Sequence, residues 1–388
     1  MELIPQFHSH FSIEPKVKAC APGRVNLLGE HVDYNDGLVL PSAIDRAVNL
    51  VAAAQTEPIA RLFALDLGKE TAFRLDQLDE KLDLEGHPLP KWAHYPAGVA
   101  WALQAAGLPT PGLVAVYSSD IPIGSGLSSS AAVEMVFAVT WETLGGWQID
   151  RMEMARLCQK AENGYVGVNC GLMDQFASAH GVAGHALYFD TRSLDWDAVP
   201  LPPGVALVIA DSGVRRNLSS SAYNERRAAC EQAVKLLQQY LPGMHSLRDI
   251  SPVEFAAYSE SLPIDIRKRA EHVVKEIGRV ESAVSALKTG KKQSFGALMY
   301  SGHASLRDLY EVSTAELDIL VAIAHDLPGC IGARLTGAGF GGCTINLVEE
   351  SHAPDFIQSL QQAYAQQTGR QAQVYLCRAS NGAEATRI

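Results

Sequence analysis

Residues 122–132 read Pro-Ile-Gly-Ser-Gly-Leu-Ser-Ser-Ser-Ala-Ala, after a short apolar, partly β-branched run and before an apolar stretch of helical length. Few backbone arrangements accommodate that order. Gly124 and Gly126 permit positive φ and a close approach of the main chain to a ligand. Ser128, Ser129 and Ser130 then fall at a helix start, where N–H groups lack intrahelical partners and the peptide dipoles favour an anion. The helix that follows, residues 131–139, is apolar apart from Glu134. Burial is therefore expected, and a serine run is not needed there for solubility. The plainer reading is an ordinary N-cap with spare serines. No Gly-Lys-Ser/Thr occurs, so this is not a Walker loop. Phosphate charge would have to be met by a metal and by residues elsewhere.

Around this loop the first half of the chain alternates strand-like and helix-like segments. Residues 17–20, 47–53, 59–64 and 113–118 are short, apolar and partly β-branched, which predicts strands. Residues 95–106, 130–144 and 152–165 have helical length and spacing. The Pro-Leu-Pro-Pro-Gly cluster at 200–204 is the densest set of breakers and the best place for a domain boundary. Beyond it the pattern predicts a strand at 205–210, several helices beginning with 221–240, strands at 331–335 and 344–348, a helix at 353–367 and a strand at 374–376. With 388 residues, two α+β domains with a shared site between them are the expectation.

The net charge of -11 argues against a nucleic-acid or anionic-membrane surface, which needs clustered Lys and Arg. No run approaches the ~20 apolar residues that span a bilayer. Residues 1–11 lack a basic region followed by an apolar one, so no signal peptide is expected. The seven cysteines are odd in number, scattered and never spaced C-x-x-C, and they read as free thiols in a reducing compartment. The expected location is the cytoplasm.

A second glycine loop, Thr-Gly-Ala-Gly-Phe-Gly-Gly at 336–342, contains a formal G-x-G-x-x-G at Gly337, Gly339 and Gly342. A dinucleotide fold needs a helix directly after it, whereas residues 343–348 read as a strand, so the dehydrogenase reading fails. A tight turn between two strands remains open. Near the N-terminus, Arg24, Asn26, Glu30, His31, Asp33 and Asp36 crowd into thirteen positions, with Val25, Leu27 and Leu28 supplying the apolar contacts of a strand. Carboxylates and imidazole suit a polyol, because they accept and donate in fixed directions. A solvated acidic loop with one salt bridge is the alternative.

This N-terminal segment resembles the galactose-binding signature of galactokinases. The serine loop and the late glycine loop resemble the second and third motifs of the wider superfamily of galactose, homoserine, mevalonate and phosphomevalonate kinases. The resemblance covers essentially the whole chain, with the motifs in the family's order and spacing; Val32 stands where the family usually has Thr. It implies an N-terminal kinase domain over 1–200, carrying the sugar signature and phosphate loop, and a ferredoxin-like C-terminal domain over 201–388, with the active site in the cleft. It implies phosphorylation of the 1-hydroxyl of α-D-galactose, with ATP as co-substrate and Mg²⁺ as cofactor, in a monomeric enzyme without nucleic-acid or membrane partners.

Residue by residue, the resemblance places Asp174 beside the 1-hydroxyl and Arg24 across from it. Glu30 and His31 fall at the 6-hydroxyl, Asp33 toward the 3- and 4-hydroxyls, Tyr223 at the 4-hydroxyl, and Gly171 supplies backbone contacts. Glu162 and Ser130 resemble the magnesium ligands. Trp92 and Tyr95 resemble the adenine-side aromatics, and Gly124, Ser125, Gly126, Leu127, Ser128, Ser129 and Ser130 the phosphate cradle. From the residues alone, Asp174 is equally a helix N-terminal acid, Glu162 a solvated helix glutamate beside Lys160, and Trp92, Tyr95 and Tyr223 core aromatics. A kinase of another monosaccharide, such as N-acetylgalactosamine or arabinose, is an alternative. A non-catalytic galactose sensor is another, against which the intact Ser-Ser-Ser-Ala at 128–131 speaks.

Overall fold

The computed structural model describes residues 3–122, 124–215 and 219–388; Ile123, part of the expected phosphate loop, lies outside the described residues. The chain forms two main sheets. The first has six strands in the order Glu384–Arg387, Val17–Asn26, Pro41–Gln55, Gly112–Ser119, Ile59–Ala64, Lys69–Arg74. Neighbours are antiparallel except Ile59–Ala64 beside Gly112–Ser119. The two-residue period of a strand sorts its faces. Val114 and Val116 pack with Leu3 and Phe7 of an N-terminal helix, Leu3–His10, while Leu113 and Ala115 enter the main core. On the core face, helices Ser129–Gly145 and Met173–His180 lie on strands Val17–Asn26 and Pro41–Gln55. Helices His94–Ala105 and Arg151–Lys160 pack behind them.

The second main sheet is four-stranded and antiparallel, in the order Cys330–Leu335, Cys343–Glu349, Val205–Asp211, Gln373–Cys377. Ala206, Val208 and Ala210 face helices Ala315–Asp326 and Ala353–Thr368 through Leu320, Phe356 and Leu360. Leu207 and Ile209 point the other way, into the core continuous with the first half. The α+β architecture is the one expected, with a ferredoxin-like second unit.

Other features carried no strong local signal. A small sheet of Leu38–Val39, His185–Asp190 and Trp196–Pro200 is contacted by the long helix Ile264–Lys288 of the second half. The breaker cluster at 200–204 does separate this small sheet from Val205–Asp211. The chain does not stay beyond that break, however, because Glu384–Arg387 returns to pair with residues 17–20 of the first sheet. Its sequence, Glu-Ala-Thr-Arg, is too short and polar to announce a strand. Among the described residues no helix is long and apolar enough to cross a membrane. None of the seven cysteines forms a disulfide.

Phe176, fully buried on helix Met173–His180, stacks on Phe189 of strand His185–Asp190 at a centroid separation of 3.8 Å and an angle of 11°. This contact anchors the short helix to the small sheet. Phe176→Ala should cost about 3–5 kcal/mol in denaturant unfolding, and Phe176→Leu clearly less. Equal midpoints for the alanine variant and wild type would show that the helix is held by other means.

Candidate active site

Two cavities meet at one carboxylate. The smaller, about 250 Å³, has Arg24, Glu30, His31, Asp33, Gly171 and Tyr223 in its wall. The larger, about 720 Å³, has Trp92, Tyr95 and the serine–glycine loop in its wall. Arg24, Asp174 and Ala338 line both. The walls combine residues of both halves of the chain, so the site lies in the cleft between them.

Arg24 sits in strand Val17–Asn26 just past a register shift between Pro22 and Arg24, and is 4% exposed. Its Nε donates to Asp174 Oδ1 at 2.8 Å, and Nη2 lies 2.6 Å from the same oxygen. Nη1 donates to the Gly126 carbonyl at 2.6 Å. Ser128 takes a left-handed conformation, φ 58°, and its hydroxyl donates to Asp174 Oδ2 at 2.5 Å instead of capping its own helix. Asp174 is the second residue of helix Met173–His180. The plain reading as a helix N-terminal acid and the functional one therefore coincide, since the helix start places the acid where Arg24 and Ser128 reach it.

In the smaller cavity, Gly171 is required by space: a Cβ there would lie 2.0 Å from Asp33 Oδ2. Burial, and then the neighbouring Asp174, push the Asp33 carboxyl up to about 6. His31 bonds Tyr34 Oη through Nδ1 at 2.8 Å and the Ala338 carbonyl through Nε2 at 3.1 Å. A carbonyl only accepts, so Nε2 carries the proton in that bond. Tyr34 in turn bonds Tyr310 Oη at 2.8 Å, and the Tyr223 ring lies 5.6 Å from that of His31. Glu30 is buried and ion-paired to Arg334. Burial outweighs that pairing and pushes its carboxyl up to about 8. Arg334 was not singled out from the sequence. The available signal was an arginine in an otherwise apolar strand next to a glycine loop.

In the larger cavity, Gly124, Gly126, Ser128, Ser129 and Ser130 line the wall, but Ser125 and Leu127 do not. Ser125 Oγ donates to the Pro122 carbonyl at 2.7 Å. Leu127 is buried in the core, and its carbonyl accepts from Arg24 N at 3.1 Å. Asp66, Lys69, Lys91 and Tyr117, none of them singled out from the sequence, complete the wall. Asp66 and Lys69 sit at one short turn, Lys91 adjoins Trp92 and Tyr117 lies on strand Gly112–Ser119.

Behind the serine loop lies a buried acidic pair. Glu162, 5% exposed, is not the solvated helix residue its neighbour Lys160 suggests; it lies in the π-helical turn Ala161–Val166, with the Ser130 hydroxyl near enough to favour its charged form. Gln175 Nε2 donates to Glu162 Oε2 at 2.6 Å and to Glu134 Oε2 at 2.9 Å. Glu134 Oε1 is buried without a hydrogen-bond partner. Burial, then Asp174, push Glu162 up to about 7, while burial and Glu162 push Glu134 well above the usual carboxylate range. Among the described residues no three His, Cys, Asp or Glu side chains converge as a closed metal cage. A hydroxyl beside uncompensated buried carboxylates instead fits a hard cation that keeps several waters and takes its remaining ligands from phosphate.

Three family models match: the galactokinase galactose-binding signature over residues 5–54, the GHMP kinases N terminal domain over 94–182 and the GHMP kinases C terminal over 283–366. At the level of the fold, the mevalonate kinase of Methanococcus jannaschii superposes with a TM-score of 0.66 at 21% identity, covering 94% of this chain and 98% of that one. Fold and site together define a small-molecule kinase of the GHMP class. The Lactococcus lactis galactokinase complexed with galactose superposes with a TM-score of 0.93 at 34% identity, covering 100% and 99%. The galactokinase of Roseiflexus sp. (strain RS-1) is 49% identical over 381 residues, 98% of this chain and 96% of that one. The Homo sapiens galactokinase is 41% identical over 380 residues, 97% and 94%. The chain belongs to the galactokinase family.

The Asp33 environment sets a pH window. An unfolded aspartate titrates near 3.9, so the raised folded value means that the folded state holds this proton more tightly. The associated stability is present below about pH 4 and is lost as pH rises through about 6. Asp33→Asn has no proton to lose. Its melting temperature should match wild type near pH 4 and exceed it by a few degrees above about pH 6. A difference that stays flat across this range in calorimetric scans would contradict the burial of Asp33 beside Asp174.

Proposed function

We propose that this protein transfers the γ-phosphoryl group of ATP to the 1-hydroxyl of α-D-galactose, giving galactose 1-phosphate and ADP, the first committed step of galactose catabolism. The observation that carries the reading is the Arg24–Asp174 pair at the wall common to both cavities. Galactose occupies the smaller cavity with its 1-hydroxyl toward Asp174, and ATP the larger, its phosphates along the backbone of the serine–glycine loop and its adenine toward Trp92 and Tyr95. The sugar O1 attacks the γ-phosphorus in line. The new O–P bond forms as the bond to the β-phosphate oxygen breaks, and the hydroxyl proton passes to Asp174.

Arg24 fixes the carboxylate and faces the transferring charge. The N-terminus of helix Ser129–Gly145 adds its unpaired N–H groups on the phosphate side. Ser130 and Glu162 would hold Mg²⁺, which when bound neutralises phosphate charge. Glu30 and His31 are assigned to the 6-hydroxyl, Asp33 to the 3- and 4-hydroxyls, Tyr223 to the 4-hydroxyl, and Gly171 to backbone contacts made possible by its missing side chain. The reading divides the chain near residue 200 into two domains and places a monomeric enzyme in the cytoplasm, where cysteines outside disulfides stay reduced.

A coupled ADP-release assay over a panel of monosaccharides tests the substrate. Galactose should be turned over with ATP, and glucose should be poorer by about 10²-fold or more in kcat/KM, because its 4-hydroxyl points away from Asp33 and Tyr223. Comparable values for the two epimers, or preference for N-acetylgalactosamine or arabinose, would overturn it.

The role of Asp174 is separable from its geometry. Asp174→Asn preserves size and most hydrogen bonding but cannot accept a proton, so single-turnover rates should fall about 10²- to 10⁴-fold. Thermal melts serve as the folding control. Arg24→Lys, which loses the planar fork, should also lower kcat while galactose still binds. An asparagine variant within a few-fold of wild type would mean that Asp174 only orients the hydroxyl while its proton leaves late in a loose transition state.

A further inference from the structure

Arg334 has no task in the reaction outlined above, yet it is a fully buried arginine beside the smaller cavity. Burying such a group is expensive unless its donors are paired, and a well-packed apolar residue usually serves stability as well. Its guanidinium divides between two acids. Nη2 is ion-paired with Glu30 Oε2, and Nη1 lies 3.0 Å from Glu276 Oε1 and 3.3 Å from the Leu27 carbonyl. Glu276 is the better satisfied acid. It also accepts from Gly29 N at 2.9 Å, and Arg279 Nε lies 2.5 Å from its other oxygen. Burial alone would raise Glu276, but Arg334 and Arg279 hold it well below the usual carboxylate range. Glu30, in the cavity wall, shares only Arg334: neither carboxylate oxygen has a hydrogen-bond partner among the described residues, and of the two Oε2 is the one ion-paired to Arg334.

The two acids also come from different parts of the chain. Glu30 follows the first strand of the six-stranded sheet, whereas Glu276 lies on helix Ile264–Lys288 and Arg334 on strand Cys330–Leu335. We propose that Arg334 is a positioning residue for sugar recognition: it grips Glu30 by one oxygen, leaves the other for a sugar hydroxyl, and through Glu276 ties that grip to the second half of the chain. This rests on the reading that the smaller cavity takes the sugar. Only a planar fork with separated N–H groups serves both carboxylates at once, which is why lysine is not an equivalent.

The test compares wild type, Glu30→Gln, Arg334→Met and Arg334→Lys, as purified full chains, on galactose and on deoxygalactoses that each lack one hydroxyl. Arg334→Met should raise KM for galactose about 10- to 100-fold, with a smaller change in kcat and KM for ATP unchanged. The penalty should vanish for one deoxygalactose, the same one for which the Glu30→Gln penalty vanishes, and Arg334→Lys should recover part of the affinity. An equal loss across all the deoxy sugars, or a parallel rise in KM for ATP, overturns the positioning role. If Arg334→Met does not fold in a thermal melt, Arg334→Lys carries the same comparison by itself. Calorimetric titration of wild type with galactose keeps the two claims apart. No binding there defeats the sugar-cavity reading, whereas normal binding with a uniform loss in the variants defeats only the role of Arg334.

Discussion

The guanidinium of Arg24 is the tie on which the site depends. Through three donors it joins a strand of the first sheet to the start of helix Met173–His180 and to the carbonyl of Gly126. Its own backbone N–H closes on Leu127. Arg24 is buried and Asp174 only partly so, and removing either would leave the other charge uncompensated. The serine–glycine loop and the acid are thus held at one separation by a single planar group, and the two cavities share a wall because of it.

Around this tie the interior is unusually acidic. Asp33, Glu162 and Glu134 are all raised, first by burial and then by another acid nearby: Asp174 for Asp33 and Glu162, and Glu162 for Glu134. A fold selected only for stability would replace several of these groups with apolar ones. Clustered, shifted carboxyl groups in a cleft are instead the electrostatic mark of a working site. In the proposed reading, incoming hydroxyls would meet acceptors on one side and a phosphate-borne cation would meet oxygen on the other. The stability lost to repulsion is supported elsewhere by apolar packing, as in the stack of Phe176 on Phe189.

Much of this was legible in the chain itself. Strand Ile59–Ala64 agrees with its apolar run at both ends, and helix Ser129–Gly145 begins within one residue of the expected start. Such elements are readable because one face of each is buried and the period of the apolar residues records it. The serine loop, the acidic crowd at 24–36 and Asp174 were also legible, since each combines residue types that local folding does not require. Less legible were helix Leu3–His10, which is only eight residues long, and the short strands Leu38–Val39 and Glu384–Arg387, which form only because a partner strand presents its edge.

What the amino-acid order alone determined is the set of elements, the α+β class, the family and the chemical inventory of the site. The tertiary structure decided which of these groups share charge. It turned Ser125 and Leu127 away from the cavity and gave the Ser128 hydroxyl to Asp174 in place of its own helix. It bridged Glu134 to Glu162 through Gln175, and set Arg334 between Glu30 and Glu276. Apart from the local bond of Ser125 to Pro122, the partners in these contacts lie 13 to 304 residues apart in sequence, from Gln175–Glu162 to Arg334–Glu30. Periodicity and propensity act over a few residues, whereas a pairing across hundreds is set only when sheets and helices have packed and the dielectric around the charges has fallen.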